Sequence, residues 1–123
     1  MDNGKTEISL GGTDVQLALP QSFALLSDVV SAASRNQGRA FGAALGICWQ
    51  GSGKPRTSLQ GYSYDVMVYG GAVLDELAAR GLKYNELQAA GMMAWSLCAA
   101  AILTESEVSD TEDFTGGAAA STG

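Results

Sequence analysis

The sequence predicts an α+β fold, mostly α: an N-terminal β-hairpin packed on a bundle of about four helices, with a disordered C-terminal tail. Three observations carry that expectation. Apolar residues alternate at period two around a Gly-Gly pair near the N-terminus. Three later segments repeat apolar residues three and four apart, bounded by capping residues and glycines. The stretch from Asn85 to Leu103, NELQAAGMMAWSLCAAAIL, lacks proline and carries, from Leu87 onward, only Gln88 and Ser96 as polar side chains. Its Ala, Leu and Met favour a helix that is apolar nearly all round, the pattern of a buried element, a subunit contact or a membrane span. A chain of 123 residues suits one domain with a real core. That domain is expected over residues 1–114, with 115–123 as a flexible tail.

The hairpin is expected over 6–19, because Ile8, Leu10, Val15, Leu17 and Leu19 share one face and Gly11-Gly12-Thr13-Asp14 stands between them. Pro20 ends it, and Ser22 caps a helix over about 22–34 whose buried face would be Phe23, Leu26, Val29, Val30 and Ala33. A second helix over about 39–50 carries Phe41, Leu45, Cys48 and Trp49. Gly38, Gly42 and Gly46 form a ladder on it where a neighbouring helix approaches closely. Ser63 or Asp65 caps a third helix over about 65–80, with Val66, Tyr69, Val73, Leu74 and Leu77 as its apolar stripe and Asp75, Glu76 and Arg80 as its solvated face. Gly70 and Gly71 inside it each cost about 1 kcal/mol relative to alanine, so a neighbour should pack there.

Asn85, with Gln88 as capping-box partner, opens a helix over 86–103 that is expected to be the most buried. Trp95 should anchor it, at helical spacing with Gly91, Cys98, Ala99 and Ile102. Thr104 and Glu107 read as a second capping box, starting a short acidic helix over 105–113.

Charge and composition narrow the function. Seven Lys and Arg stand against thirteen Asp and Glu; all seven bases but only eight acids lie in residues 1–104, so that part sums to −1. Glu105, Glu107, Asp110, Glu112 and Asp113 carry the rest. No basic patch is present to displace counterions from a nucleic acid. Charged residues are 16% of the chain, against ~25% in ordinary domains, which suggests a surface hidden against a partner, another protein or a further copy. Gly53-Lys54 resembles a phosphate-binding loop only superficially, because Cys48 replaces the leading glycine and Pro55 follows the lysine.

With no histidine, the usual general base and metal ligand are absent. Cys48 and Cys98 are too few for a zinc site and read as buried, reduced thiols. No enzyme activity, catalytic residue, cofactor or metal is expected. The N-terminus lacks the basic and apolar regions of a signal peptide, so the default compartment is the cytoplasm.

The order of elements, a small hairpin, Ala- and Gly-rich helices, a polar break, then the acidic segment from Glu107-Val108 to Phe114 and a low-complexity end, resembles the tail assembly chaperones of long-tailed bacteriophages. The resemblance covers residues 6–114 as an arrangement. It implies a non-enzymatic protein, in the cytoplasm of an infected host, that coats the tape-measure protein and helps bring tail-tube subunits to it. On that reading the recognition groove is expected on the small-residue faces of the second and third helices, at Gly42, Gly46, Gly70 and Gly71 beside Phe41, Val66 and Tyr69. The five tail acids would keep the loaded complex soluble by like-charge repulsion. A structural virion or adaptor subunit, in which the same surface is a permanent contact, is the alternative. A second alternative is a small membrane-active protein using the 87–103 helix. About 17 residues make a rod of roughly 26 Å, just short of a bilayer core, and the Ala- and Gly-rich composition disfavours it.

Overall fold

The computed structural model describes residues 6–62 and 65–117, with side chains described through Thr104. Strands β1 (Thr6–Leu10) and β2 (Thr13–Leu17) form the expected antiparallel hairpin, Ile8 opposite Val15 and Leu10 opposite Thr13. Gly11 and Gly12 alone make the turn, with φ of 60° and 82°, the double positive φ that a two-residue hairpin loop requires. Thr13 and Asp14, expected in the turn, are therefore paired in β2. Ile8, Leu10, Val15 and Leu17 are buried while Glu7, Ser9 and Gln16 face out, as the alternation demands.

Helix α1 (Phe23–Ala32) starts where the sequence places it, with Ser22 Oγ accepting from the Leu25 N–H at 3.2 Å. Its buried residues are Leu26, Val29 and Ala32. Phe23, expected in the core, is 51% exposed, since a first-turn side chain leans back past the packed face.

Helix α2 (Gln37–Cys48) is capped by Asn36, whose Oδ1 accepts from the Arg39 N–H at 3.1 Å. The expected helix over 39–50 thus begins earlier, and it also ends earlier. Trp49 turns extended, and β3 (Trp49–Gln50) joins the hairpin, Leu17 opposite Trp49 and Gln16 opposite Gln50. The Cys48 carbonyl accepts from the Ala18 N–H at 2.8 Å, so the sheet takes the acceptor a further helical turn would use. The sheet order is β1-β2-β3.

A connection containing the 3-10 turn Leu59–Tyr62 leads to α3 (Val66–Ala79). Asp65 caps it, accepting from the Met67 and Val68 amides. Its end is a Schellman closure: Leu82 N–H donates to the Leu77 carbonyl and Gly81 N–H to that of Ala78, with Gly81 at φ 94°. Glu76 and Arg80 are not merely a solvated face. Glu76 accepts from the Arg56 and Thr57 backbone amides at 2.8–3.1 Å, and Arg80 bonds Glu76 at 2.6 Å while reaching the Gly53 and Lys54 carbonyls. Together they hold the 51–58 connection against α3.

Burial alone would raise the Glu76 carboxyl, but the two amides and Arg80 outweigh it and hold it below the ordinary value of 4.5. A depressed carboxylate contributes stability above its unfolded pKa, and that contribution is lost as pH falls through the lower folded value. Glu76→Gln is therefore expected to quicken tryptic cleavage after Arg56 at neutral pH. Its stability deficit should shrink as pH drops below 4.5; a deficit constant down to pH 2 would contradict the clamp.

Helix α4 (Tyr84–Gly117) departs most from expectation. Its first turn is closed by Lys83 N–H donating to Glu86 Oε1 at 3.1 Å, two residues before the expected Asn85 and Gln88 pair. Gln88 Nε2 is instead buried without a partner among the described residues. At the far end Thr104 Oγ1 donates back to the Ala100 carbonyl at 2.9 Å, so it caps no new helix. The backbone stays helical through Gly117, in place of a break at 104, a separate helix over 105–113 and a tail from 115. Neither proline nor glycine lies between 104 and 115 to stop it. Residues 118–123 of the expected tail lie outside the described residues.

The core is centred on α2, which packs against both α3 and α4. Every residue from Ala40 to Leu45 is buried. Helix α4, expected to be the most buried, buries only Leu87, Ala90, Gly91, Ala94 and Cys98 between Tyr84 and Thr104.

Candidate functional site

The glycines expected to line a recognition groove are already occupied by the protein's own helices. A Cβ on Gly42 would stand 2.5 Å from the Gly70 carbonyl oxygen and 2.8 Å from Leu74. One on Gly46 would meet the Tyr69 hydroxyl at 2.6 Å and Val73 at 2.8 Å, and one on Gly70 would overlap the Arg39 carbonyl. These residues form the α2–α3 seam, where the missing side chains let two backbones touch. Val66 and Tyr69 are buried beside it, and burial, then Glu76, push the Tyr69 phenol up to about 12. Phe41 is buried on the opposite side of α2, its ring 5.9 Å from Trp95 of α4 and tilted by 58°. Gly91 allows that approach, since a Cβ there would lie 2.7 Å from Phe41 Cβ. Only Gly71 faces something yielding, the flexible Arg39 side chain at 3.4 Å. The expected groove is thus two internal seams. Glycine spacing announced close approach without saying which helix approached.

Cys48 and Cys98 join α2 to α4 in the core, Sγ to Sγ at 3.8 Å, both fully buried and free. The contact with Cys98, then burial, pushes the Cys48 thiol up, while the same contact holds Cys98 down against burial. The directions differ because one sulfur donates and the other accepts; for a pair sealed in apolar surroundings the net direction is upward. Thiol reagents should react slowly with the native protein and rapidly after denaturation, and equal rates would contradict this packing. Among the described residues no three His, Cys, Asp or Glu come together to hold a metal.

The outer face of α4 is open. Met92, Met93 and Leu103 are 50%, 46% and 64% exposed, and Ala89, Ser96 and Ala100 are exposed on the same face. An open notch of about 400 Å³ lies on this face, lined by Thr6 at the start of β1 and by Met92, Met93, Ser96 and Leu97. Within Tyr84–Thr104 an 18-residue window has a mean hydropathy of 1.5, long and apolar enough to cross a membrane, yet only 28% of that window is buried. The sequence pointed to this helix but not to this face, because a helix apolar all round does not say which side the core takes. Glu105, Glu107, Asp110, Glu112 and Asp113 lie on its helical continuation, and their side chains are outside the described residues. Comparison with family models, with curated proteins and with solved structures finds no match.

Proposed function

We propose that this chain is a non-enzymatic binding protein for apolar helices, and that it serves as a tail assembly chaperone which takes up the tape-measure protein and helps recruit tail-tube subunits. One observation supports the reading above the rest: from Leu87 to Leu103, α4 carries only Gln88 and Ser96 as polar side chains, and the fold covers one side of it. An outward stripe of Ala89, Met92, Met93, Ser96, Ala100 and Leu103 repeats every three or four residues, the spacing by which one helix reads another. Methionine suits such a surface because its flexible thioether adapts to different partners. The five acids that follow in sequence supply charge, not affinity, and keep a loaded complex apart from its neighbours. The recognition residues are thereby moved from the glycine seams to α4.

Co-production with the tape-measure protein tests the reading. The wild-type chain should hold that protein in the soluble fraction, and Met92→Glu/Met93→Glu should release it while keeping the wild-type helical content and a cooperative melt. Neutralising the five acids should leave capture intact but make the complex precipitate at low salt. A normally folded Met92→Glu/Met93→Glu protein that still captures the partner rejects the α4 surface. Wild-type chain recovered in the membrane pellet rejects the chaperone in favour of membrane activity through α4, and persistence in finished particles favours a structural subunit.

A further inference from the structure

We infer that the outer face of α4 pairs with the same face of a second copy of this chain, antiparallel, about a two-fold axis at Ser96. The exposed residues Ala89, Met93, Ser96, Ala100 and Leu103 step by four, three, four and three, the seam along which two helices lie in continuous contact. Over residues 84–104 that seam is roughly 30 Å long.

Its residue sizes choose the orientation. With Ser96 on the axis, Ala89 faces the partner's Leu103, Met92 and Met93 face the partner's Ala100 and Ala99, and Ser96 faces itself. Each layer off the axis then sets a large side chain against a small one, the condition for filling an interface without voids or strain, and the two small Ser96 side chains meet at the axis. A parallel pair would set Met93 on Met93 and Leu103 on Leu103, with Ala89 and Ala100 facing themselves across gaps. Antiparallel helices also bring opposite dipole ends together. Charge agrees, because the same register sets Lys83 opposite position 109, inside the stretch where the sequence carries Glu107 and Asp110. A parallel pair would place the two acidic stretches side by side. The two-fold uses the same patch on both copies, as closed dimers do.

This pairing uses the face assigned above to the partner helix but does not depend on that assignment. A second copy covers the stripe in the free protein, and a partner helix takes its place. The test is made on the purified full chain with no partner present. Sedimentation equilibrium should give twice the chain mass, falling to the chain mass for Met93→Glu. Under mild oxidation Ser96→Cys should cross-link to itself. Ala89→Cys and Leu103→Cys should each cross-link poorly alone and strongly when mixed. The wild type, with both native thiols buried, should not cross-link. A monomeric wild type overturns the inference, and so does an Ala89→Cys protein that cross-links to itself as readily as Ser96→Cys. Partner capture by a monomer would overturn the pairing and leave the proposed function standing; a dimer that captures no partner would do the reverse.

Discussion

Replacing Gly70 with alanine is expected to destabilise the protein by about 3 kcal/mol, the upper end of overpacking costs, and replacing it with leucine should prevent folding. The reason lies in what the added carbon meets. At Gly70 it overlaps the Arg39 carbonyl and comes within 3.1 Å of the Ala43 amide nitrogen, both backbone atoms of α2. A side chain could swing away, but a helix backbone moves only as a unit, so α2 and α3 would have to separate along their seam. The neighbouring residue supplies the control. At Gly71 the carbon meets only the Arg39 side chain at 3.4 Å or more, which can move aside. Gly71→Ala should be neutral or stabilising by up to about 1 kcal/mol through helix propensity. Chemical denaturation of the two variants reads the contrast. Equal costs, or none at either site, would contradict the seam.

Trp95→Ala is expected to cost about 3 kcal/mol, the lower end for removing a large aromatic, because the indole is only half-buried yet braces α4 on Phe41. Trp95→Phe should behave differently. Indole Nε1 is buried without a hydrogen-bond partner among the described residues, so phenylalanine keeps the apolar contact and removes a desolvated donor. Its stability should equal or exceed that of the wild type. An alanine variant within about 1 kcal/mol of the wild type would place Trp95 outside the packed structure.

The sequence is legible wherever a local rule has one solution. Period-two alternation about Gly11-Gly12 leaves the hairpin no other face to bury, and Ser22 is the cap its position promises, while Asp65 is one of the two candidates, Ser63 and Asp65, that the sequence offers for α3. It is illegible where two solutions share a spacing. Lys83 with Glu86 and Asn85 with Gln88 are equally spaced, and the carboxylate at Glu86, the stronger acceptor and the better match to the helix dipole, wins. Strand β3 has two residues and therefore no period to read; only tertiary pairing with Leu17 and Gln16 creates it. The glycines of α2 and α3 marked close contacts correctly, but composition cannot distinguish a seam already filled from a groove still open. The burial of helix α4 is illegible for the same reason. Its apolar residues go all round, and the side left over is set by how α1 and α2 cover it.

On the proposed function, the outward stripe of α4 is the surface that takes a partner helix. Methionine oxidation reads it directly, with Met67, half-buried on α3, as the internal reference. In the complex with the tape-measure protein, Met92 and Met93 should oxidise several-fold more slowly than in the denatured chain, and Met67 should react at the same rate with and without partner. If Met92 and Met93 in the complex oxidise as fast as in the denatured chain, the partner lies elsewhere and the α4 surface is not the site.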